Sequence, residues 1–211
     1  MRTRLLKIFD ILLERFGERH WWPGETALEV IVGAVLTQNT SWKNVEKAIA
    51  SLKSEGLLSI DRLDETPNEI LAQCIRSSGY YNLKTVRLKN IINVIRDDFS
   101  SSIEQLKDND TEELREKLLG IKGIGEETAD SILLYALDKP IFVVDAYTKR
   151  FVANHGLYEG PLQYSSVQVF FMDNLPLDTY LFNEYHALIV ALCQHYCLKT
   201  PKCAECPLKD Q

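Results

Sequence analysis

No apolar run in this chain approaches the roughly 20 residues that a helix needs to cross a bilayer, so no membrane span is expected. The first segment, MRTRLLKIFDILLERFG, does not read as a signal peptide either. It reads as an amphipathic helix with Leu5, Ile8, Phe9, Leu12 and Phe16 on its apolar face, and the cytoplasm is the expected compartment. Cysteine is scarce outside one place: Cys74 stands alone as an expected core residue, and the other four of five fall within 193–206. That crowding argues against a disulfide framework and suits a metal or cluster site in a reducing compartment. Positive charge is in deficit as well. A net charge of −6 argues against a protein that grips nucleic acid mainly through a bulk positive field. Alternating strand patterns and low-complexity linkers are also missing.

What remains is helical. Apolar periodicity and Gly, Pro, Asn and Asp breakers predict helices over 2–16, 26–36, 41–54, 67–75, 82–97, 111–119, 125–137, 143–154, 163–174 and 178–194, an all-α chain. Asp110-Thr111-Glu112-Glu113-Leu114 reads as a capped helix start, and Pro140 stops the preceding helix. A hydrophobic content of 45% over 211 residues supports one large or two small domains with a sizeable core. Acid concentrates in 57–70 and 97–116, whereas Lys43, Lys47, Lys84, Arg87, Lys89, Lys122, Lys149 and Arg150 lie near the motifs below. A solvated mixed surface accounts for those basic residues equally well.

Residues 118–150, LLGIKGIGEETADSILLYALDKPIFVVDAYTKR, carry the most information. In Lys122-Gly123-Ile124-Gly125 the glycines permit positive φ and close backbone approach, so that N–H groups can face a phosphate where a helix begins, with Ile124 packed inward. Downstream of an apolar run stands Asp145, which reads either as an N-cap or as a carboxylate placed to stabilise positive charge at a sugar carbon. All three tryptophans, Trp21, Trp22 and Trp42, fall within one short stretch around GAVLTQNT. Core packing and a base-stacking pocket are both open to them.

These tracts, with WWP, SGYYNLK, KGIG and VVD, resemble the endonuclease III (helix-hairpin-helix) superfamily of DNA glycosylases over most of the chain, and look most like its 3-methyladenine glycosylase branch. The resemblance implies two helical lobes, 20–132 and 1–19 plus 133–211, with DNA bound between them. It implies double-stranded DNA with a damaged base as the partner, a monomer, and residence with the nucleoid. Asp145 would be the catalytic carboxylate, and Trp21 or Trp22 with Trp42 would grip the flipped base. Gln38 would fill the gap in the stack or only cap a helix end; Gly79, Asn82 and Lys84 would touch the opposite strand or its phosphates, or form a plain turn before a helix; and the hairpin of residues 122–125 would meet phosphates. Position 127 departs from the pattern: bifunctional members carry a lysine there that forms a Schiff base, and this chain has Glu127. A carboxylate cannot form that imine, so a monofunctional glycosylase is expected, with Glu127 at the pocket or merely solvated. Removal of uracil, mismatched thymine or oxidised pyrimidines, and a non-catalytic binding module, are the alternatives.

The cysteines stand as Cys193, Cys197, Cys203 and Cys206. The PKCAECPLKD context resembles the superfamily's [4Fe-4S] loop, with the first gap one residue short and the usual fourth position falling just past Gln211. Either Cys193, one turn before Cys197, or a residue past Gln211 is then the fourth ligand. Tetrahedral zinc on the same thiolates is the alternative. Lys199, Lys202 and Lys209 on that loop are candidates for phosphate contact.

Overall fold

The computed structural model describes residues 1–209 and 211. Among these residues there are twelve α-helices and no strand: α1 Arg2–Phe16, α2 Ala27–Leu36, α3 Trp42–Ser54, α4 Ile60–Glu65, α5 Asn68–Cys74, α6 Tyr81–Phe99, α7 Ile103–Asp108, α8 Thr111–Leu119, α9 Glu126–Ser131, α10 Ala146–Asn154, α11 Tyr164–Asn174 and α12 Thr179–His195. The chain divides into two compact units, one of residues Trp22–Asp138 and one joining Met1–Trp21 to Lys139–Gln211.

In the unit of residues 22–138, α2 is apolar nearly all round, and Val30 through Leu36 are buried, as a helix at the centre of a core must be. Its start is capped by Thr26, whose hydroxyl accepts from Glu29 N at 3.2 Å. Helices α3 and α6 pack against it. Asp110 caps α8 through bonds from Glu112 N and Glu113 N, as its sequence predicts. The helix expected over 125–137 is α-helical only to Ser131; Ile132–Ala136 form a π-helical turn. Two short helices, α4 and α7, were not expected at all, although Ser59 and Ser102 cap them with their side chains.

The other unit draws on both ends of the chain. Leu5, Ile8, Phe9 and Leu12 lie on one buried face of α1, which packs against α12. Tyr185 on α12 donates its hydroxyl to Leu5 O at 2.9 Å, so the two ends are tied by a buried hydrogen bond as well as by packing. Phe142 and Phe171 stack at 4.0 Å between centroids, and Phe182 and Tyr185 meet Phe142 edge-on. Each such pair adds about 0.5–1.5 kcal/mol beyond the area it buries. The helix expected from 143 begins only at Ala146, because residues 141–144 are buried in the core without forming a helix. Gln168 Nε2 donates to Phe142 O at 2.7 Å and holds that run in place.

Candidate active site and DNA-contact elements

Asp145 sits at the junction of this buried run and α10 and caps the helix: its Oδ1 accepts from Thr148 N at 2.7 Å and from Thr148 Oγ1 at 3.0 Å. Its other oxygen, Oδ2, lies 3.6 Å from His186 Nε2 on α12. Burial opposes ionisation here, but the His186 imidazole and the two Thr148 donors outweigh it and hold the carboxyl below the ordinary aspartate value. The side chain keeps 16% of its surface exposed. Capping and chemistry are therefore compatible: a charged, partly accessible carboxylate is fixed in one orientation. His186 was not singled out from the sequence, where a histidine on an apolar helix carries no local signal.

In the other unit the hairpin has the expected geometry. Gly123 has φ +98°, Ile124 is buried, and Gly125 precedes α9 with no side-chain cap on the first amides. A Cβ at Gly123 would collide with the Arg87 side chain, so glycine is required there on two counts. Lys122 is exposed, and its carbonyl accepts from Asn90 Nδ2 at 2.9 Å. Glu127 is exposed in the first turn of α9. Gln38 is not free in the way a gap-filling side chain should be. Its Nε2 donates to Gly123 O at 3.1 Å and Thr128 Oγ1 at 2.9 Å, and Arg87 donates to its Oε1, so the side chain braces the hairpin. The exposed residue at that loop tip is Asn39, with φ +54°.

Two expected DNA contacts on α6 part company. Asn82 is exposed. Lys84, expected at a phosphate, is only 1% exposed and donates to Leu36 O and Ser78 O, both at 2.7 Å. It closes the C-terminal end of α2 and cannot reach DNA from there. Burial, aided by Arg87, pushes its pKa down to about 8.

The tryptophans divide between the units. Trp22 and Trp42 meet edge-to-face at 5.2 Å and 90°, and Trp22 meets Tyr135 at 5.4 Å and 45°. A Cβ on Gly33 would come within 3.1 Å of the Trp22 indole nitrogen, so the glycine in GAVLTQNT lets the ring lie against α2. Rings in mutual edge-to-face contact cannot sandwich a base between themselves; they present a corner of aromatic faces instead. Tyr135 joins this corner from the π-helical turn, and the sequence did not reveal it because no local pattern announces such a turn. Trp42 is oriented by its own Nε1, which donates to Glu46 at 2.9 Å. Trp21 belongs to the unit built from the chain ends and is half-buried. Just before it, Arg19 N and His20 N donate to the two carboxylate oxygens of Glu184 at 2.6 and 2.7 Å.

Cys197, Cys203 and Cys206 line one cavity of 240 Å³, together with Asn154 and His155. Cys193 is fully buried beside Cys197, and its thiol faces Tyr147 O at 3.6 Å rather than lining that cavity. Burial, with Cys197 alongside, pushes the Cys193 thiol up to about 12. Asn154 Nδ2 approaches Cys197 Sγ at 3.2 Å, and Leu208 N approaches Cys206 Sγ at 3.5 Å. Among the described residues no three His, Cys, Asp or Glu side chains gather as a single metal ion requires. The residues lining the cavity include three thiols, the donor type that either an iron–sulfur cluster or zinc takes. Cys74, expected in the core, is half-buried.

Comparison with known proteins agrees with this geometry. A protein of Methanocaldococcus jannaschii with a provisional DNA repair glycosylase name is 49% identical over 207 residues, covering 98% of this chain and 94% of that protein. Endonuclease III of Sulfolobus acidocaldarius is 27% identical over 183 residues, 85% of this chain and 78% of its own length. Among solved structures, H. pylori 3-methyladenine DNA glycosylase bound to 1,N6-ethenoadenine is similar at a TM-score of 0.75 and 32% identity, covering 88% of this chain and 95% of that one. A trapped endonuclease III–DNA covalent intermediate shares the fold at a TM-score of 0.82 and 20% identity, over 99% and 93% of the two chains. Residues 32–176, which include the hairpin, Trp42 and Asp145, match the HhH-GPD superfamily base excision DNA repair protein family. With a capped and charged carboxylate at the head of α10 and a glycine hairpin at the head of α9, the chain belongs to that superfamily and is a DNA N-glycosylase.

Proposed function

We propose that this enzyme is a monofunctional glycosylase that removes an alkylated purine such as 3-methyladenine from double-stranded DNA by hydrolysis, acting as a monomer at the nucleoid. The observation that carries the reading is the pairing of a charged Asp145 with a carboxylate, not a lysine, at position 127. Breaking the N-glycosidic bond develops positive charge on the sugar, and a fixed carboxylate stabilises it and orients water. Without an amine at position 127 no imine forms there, and the product keeps an intact backbone.

The aromatic corner supports the choice of lesion. N3- or N7-alkylated purines are cationic, so their glycosidic bonds are already weakened and demand little acid catalysis. Trp22, Trp42 and Tyr135 offer electron-rich faces, worth about 0.5–2 kcal/mol for a cation over a neutral base. The similar H. pylori structure is of a 3-methyladenine glycosylase, which fits this preference. The hairpin amides and Lys122 would hold phosphate.

The cysteines would hold a [4Fe-4S] cluster through Cys197, Cys203 and Cys206, with Cys193 as the candidate fourth ligand. When bound, such a cluster cross-links its loop. Iron analysis of anaerobically purified protein should give about four irons per chain. One zinc and no iron would overturn the cluster while leaving the glycosylase reading intact. Cys193→Ser losing as much iron as Cys203→Ser would make Cys193 a ligand; full iron content would remove it.

The deciding experiment for the reaction is a panel of duplexes with 3-methyladenine, 7-methylguanine, hypoxanthine, uracil and T·G. Base release from the alkylpurines, with strands intact until alkali and no borohydride-trapped adduct, is expected. A trapped adduct would end the monofunctional claim, and preferential release of uracil or thymine would end the alkylpurine claim.

A further inference from the structure

Asp145 commits only one of its oxygens to the backbone. Oδ1 is held by Thr148 N and Oγ1 within α10, so Oδ2 is the oxygen left for chemistry. The group opposite Oδ2 comes from another helix: His186 Nε2 on α12, 3.6 Å away, on a side chain only 8% exposed. That separation is an electrostatic contact, longer than a hydrogen bond. A lysine or arginine in direct contact would occupy the lone pairs that a sugar cation or a water must use. An imidazole at this distance biases the carboxylate without filling it.

The imidazole is itself well fixed. Its two predecessors on α12 are both anchored, Glu184 by the amides of Arg19 and His20, and Tyr185 by the carbonyl of Leu5. Helix α12 also packs directly on α10. The position of His186 relative to Asp145 is therefore set by contacts on either side of it.

We propose that His186 is a positioning residue for base removal, holding Oδ2 of Asp145 in its working orientation while Thr148 holds Oδ1. The proposal rests on Asp145 being the carboxylate that acts, and the test separates the two claims. Single-turnover base release and damaged-duplex Kd are measured for Asp145→Asn, His186→Ala, His186→Gln and the double variant Asp145→Asn/His186→Ala. His186→Ala should slow release about 10- to 100-fold, the range typical of groups that orient a functional ligand, with Kd unchanged. Gln, which keeps an N–H near the Nε2 position, should recover most of the rate. The double variant should be no slower than Asp145→Asn, because His186 acts only through that carboxylate.

Additive losses in the double variant, or a loss confined to Kd, would overturn the proposal. So would a Gln variant that melts like wild type yet is as slow as Ala. If His186→Ala does not fold at the assay temperature, His186→Leu fills the volume without a donor, and wild-type release by that variant would equally overturn it. Full excision by Asp145→Asn would instead sink the role of Asp145, whatever the His186 variants do.

Discussion

Two ionisable side chains with little solvent around them, one in each unit, are treated in opposite ways. Asp145 has a histidine and two donors around it, and its pKa moves in the direction that keeps it charged. Lys84 has only carbonyl dipoles as partners and Arg87 nearby, and its pKa moves in the direction that discharges it. The difference separates a carboxylate kept in its charged form beside an accessible edge, as the proposed chemistry requires, from an ammonium used to close a helix end. Both are desolvated, but only the carboxylate keeps an accessible edge, whereas the ammonium is spent on closing a helix end.

The sharpest way to break this comparison is Asp145→Asn. It should lower single-turnover excision by about 10²-fold or more, with little change in DNA affinity. A folded Asn variant with normal excision would leave Asp145 a cap and nothing more. Next, Trp42→Ala should cost roughly 1–3 kcal/mol in affinity for damaged over undamaged duplex, the value of one base–aromatic stack. Equal losses on both duplexes, with a lower Tm, would place Trp42 in the core.

Lys84→Met should act on stability and not on the chemical step. Leaving the carbonyls of Leu36 and Ser78 without their donor should cost about 1–3 kcal/mol in denaturant unfolding. The pH dependence has a definite sign. The folded value of about 8 lies below the ordinary 10.5, so the unfolded chain holds this proton more tightly. The cost of burial is full below pH 8 and is relieved as pH rises toward 10.5, and wild type should gain on Lys84→Met across that window. A flat difference would show that Lys84 is not buried as described. The smallest effect is expected of Thr148→Val, which removes the hydroxyl from Oδ1 but leaves the backbone donor. It should cost about 0.5–1.5 kcal/mol of stability and slow excision only a few-fold.

What was legible in the sequence was local. The Gly123 turn, the inward Ile124, the Asp110 cap and the amphipathic face of α1 follow from neighbours a few residues away, and the structure has them all. Lys84 was misplaced because nothing within SGYYNLK says that α2 lies above it. The bracing contacts of Gln38 were hidden for a similar reason, since its partners are distant in sequence, at Arg87, Gly123 and Thr128. His186 and Tyr135 were missed because one gains its meaning from a carboxylate on another helix and the other from a π-helical turn. The start of α10 fell later than predicted because Val143 and Val144, which extend the apparent apolar helix, are β-branched residues in a buried non-helical run.

The tie between Tyr185 and Leu5 also has a consequence for how the molecule is made. A ribosome delivers α1 before residues 22–138 and α12 after them, so the unit that holds Asp145 cannot close until α12 has emerged. Residues 22–138 are complete long before and can fold in the interval, as domains generally do during synthesis. Until then Leu5, Ile8 and Leu12 lack the α12 face that buries them, and the contact that closes this unit spans a long loop, which carries an entropic cost. Truncation at either terminus should therefore cost the carboxylate its surroundings while sparing the hairpin, so that nascent or clipped chains are able to acquire the glycine turn before they can acquire chemistry.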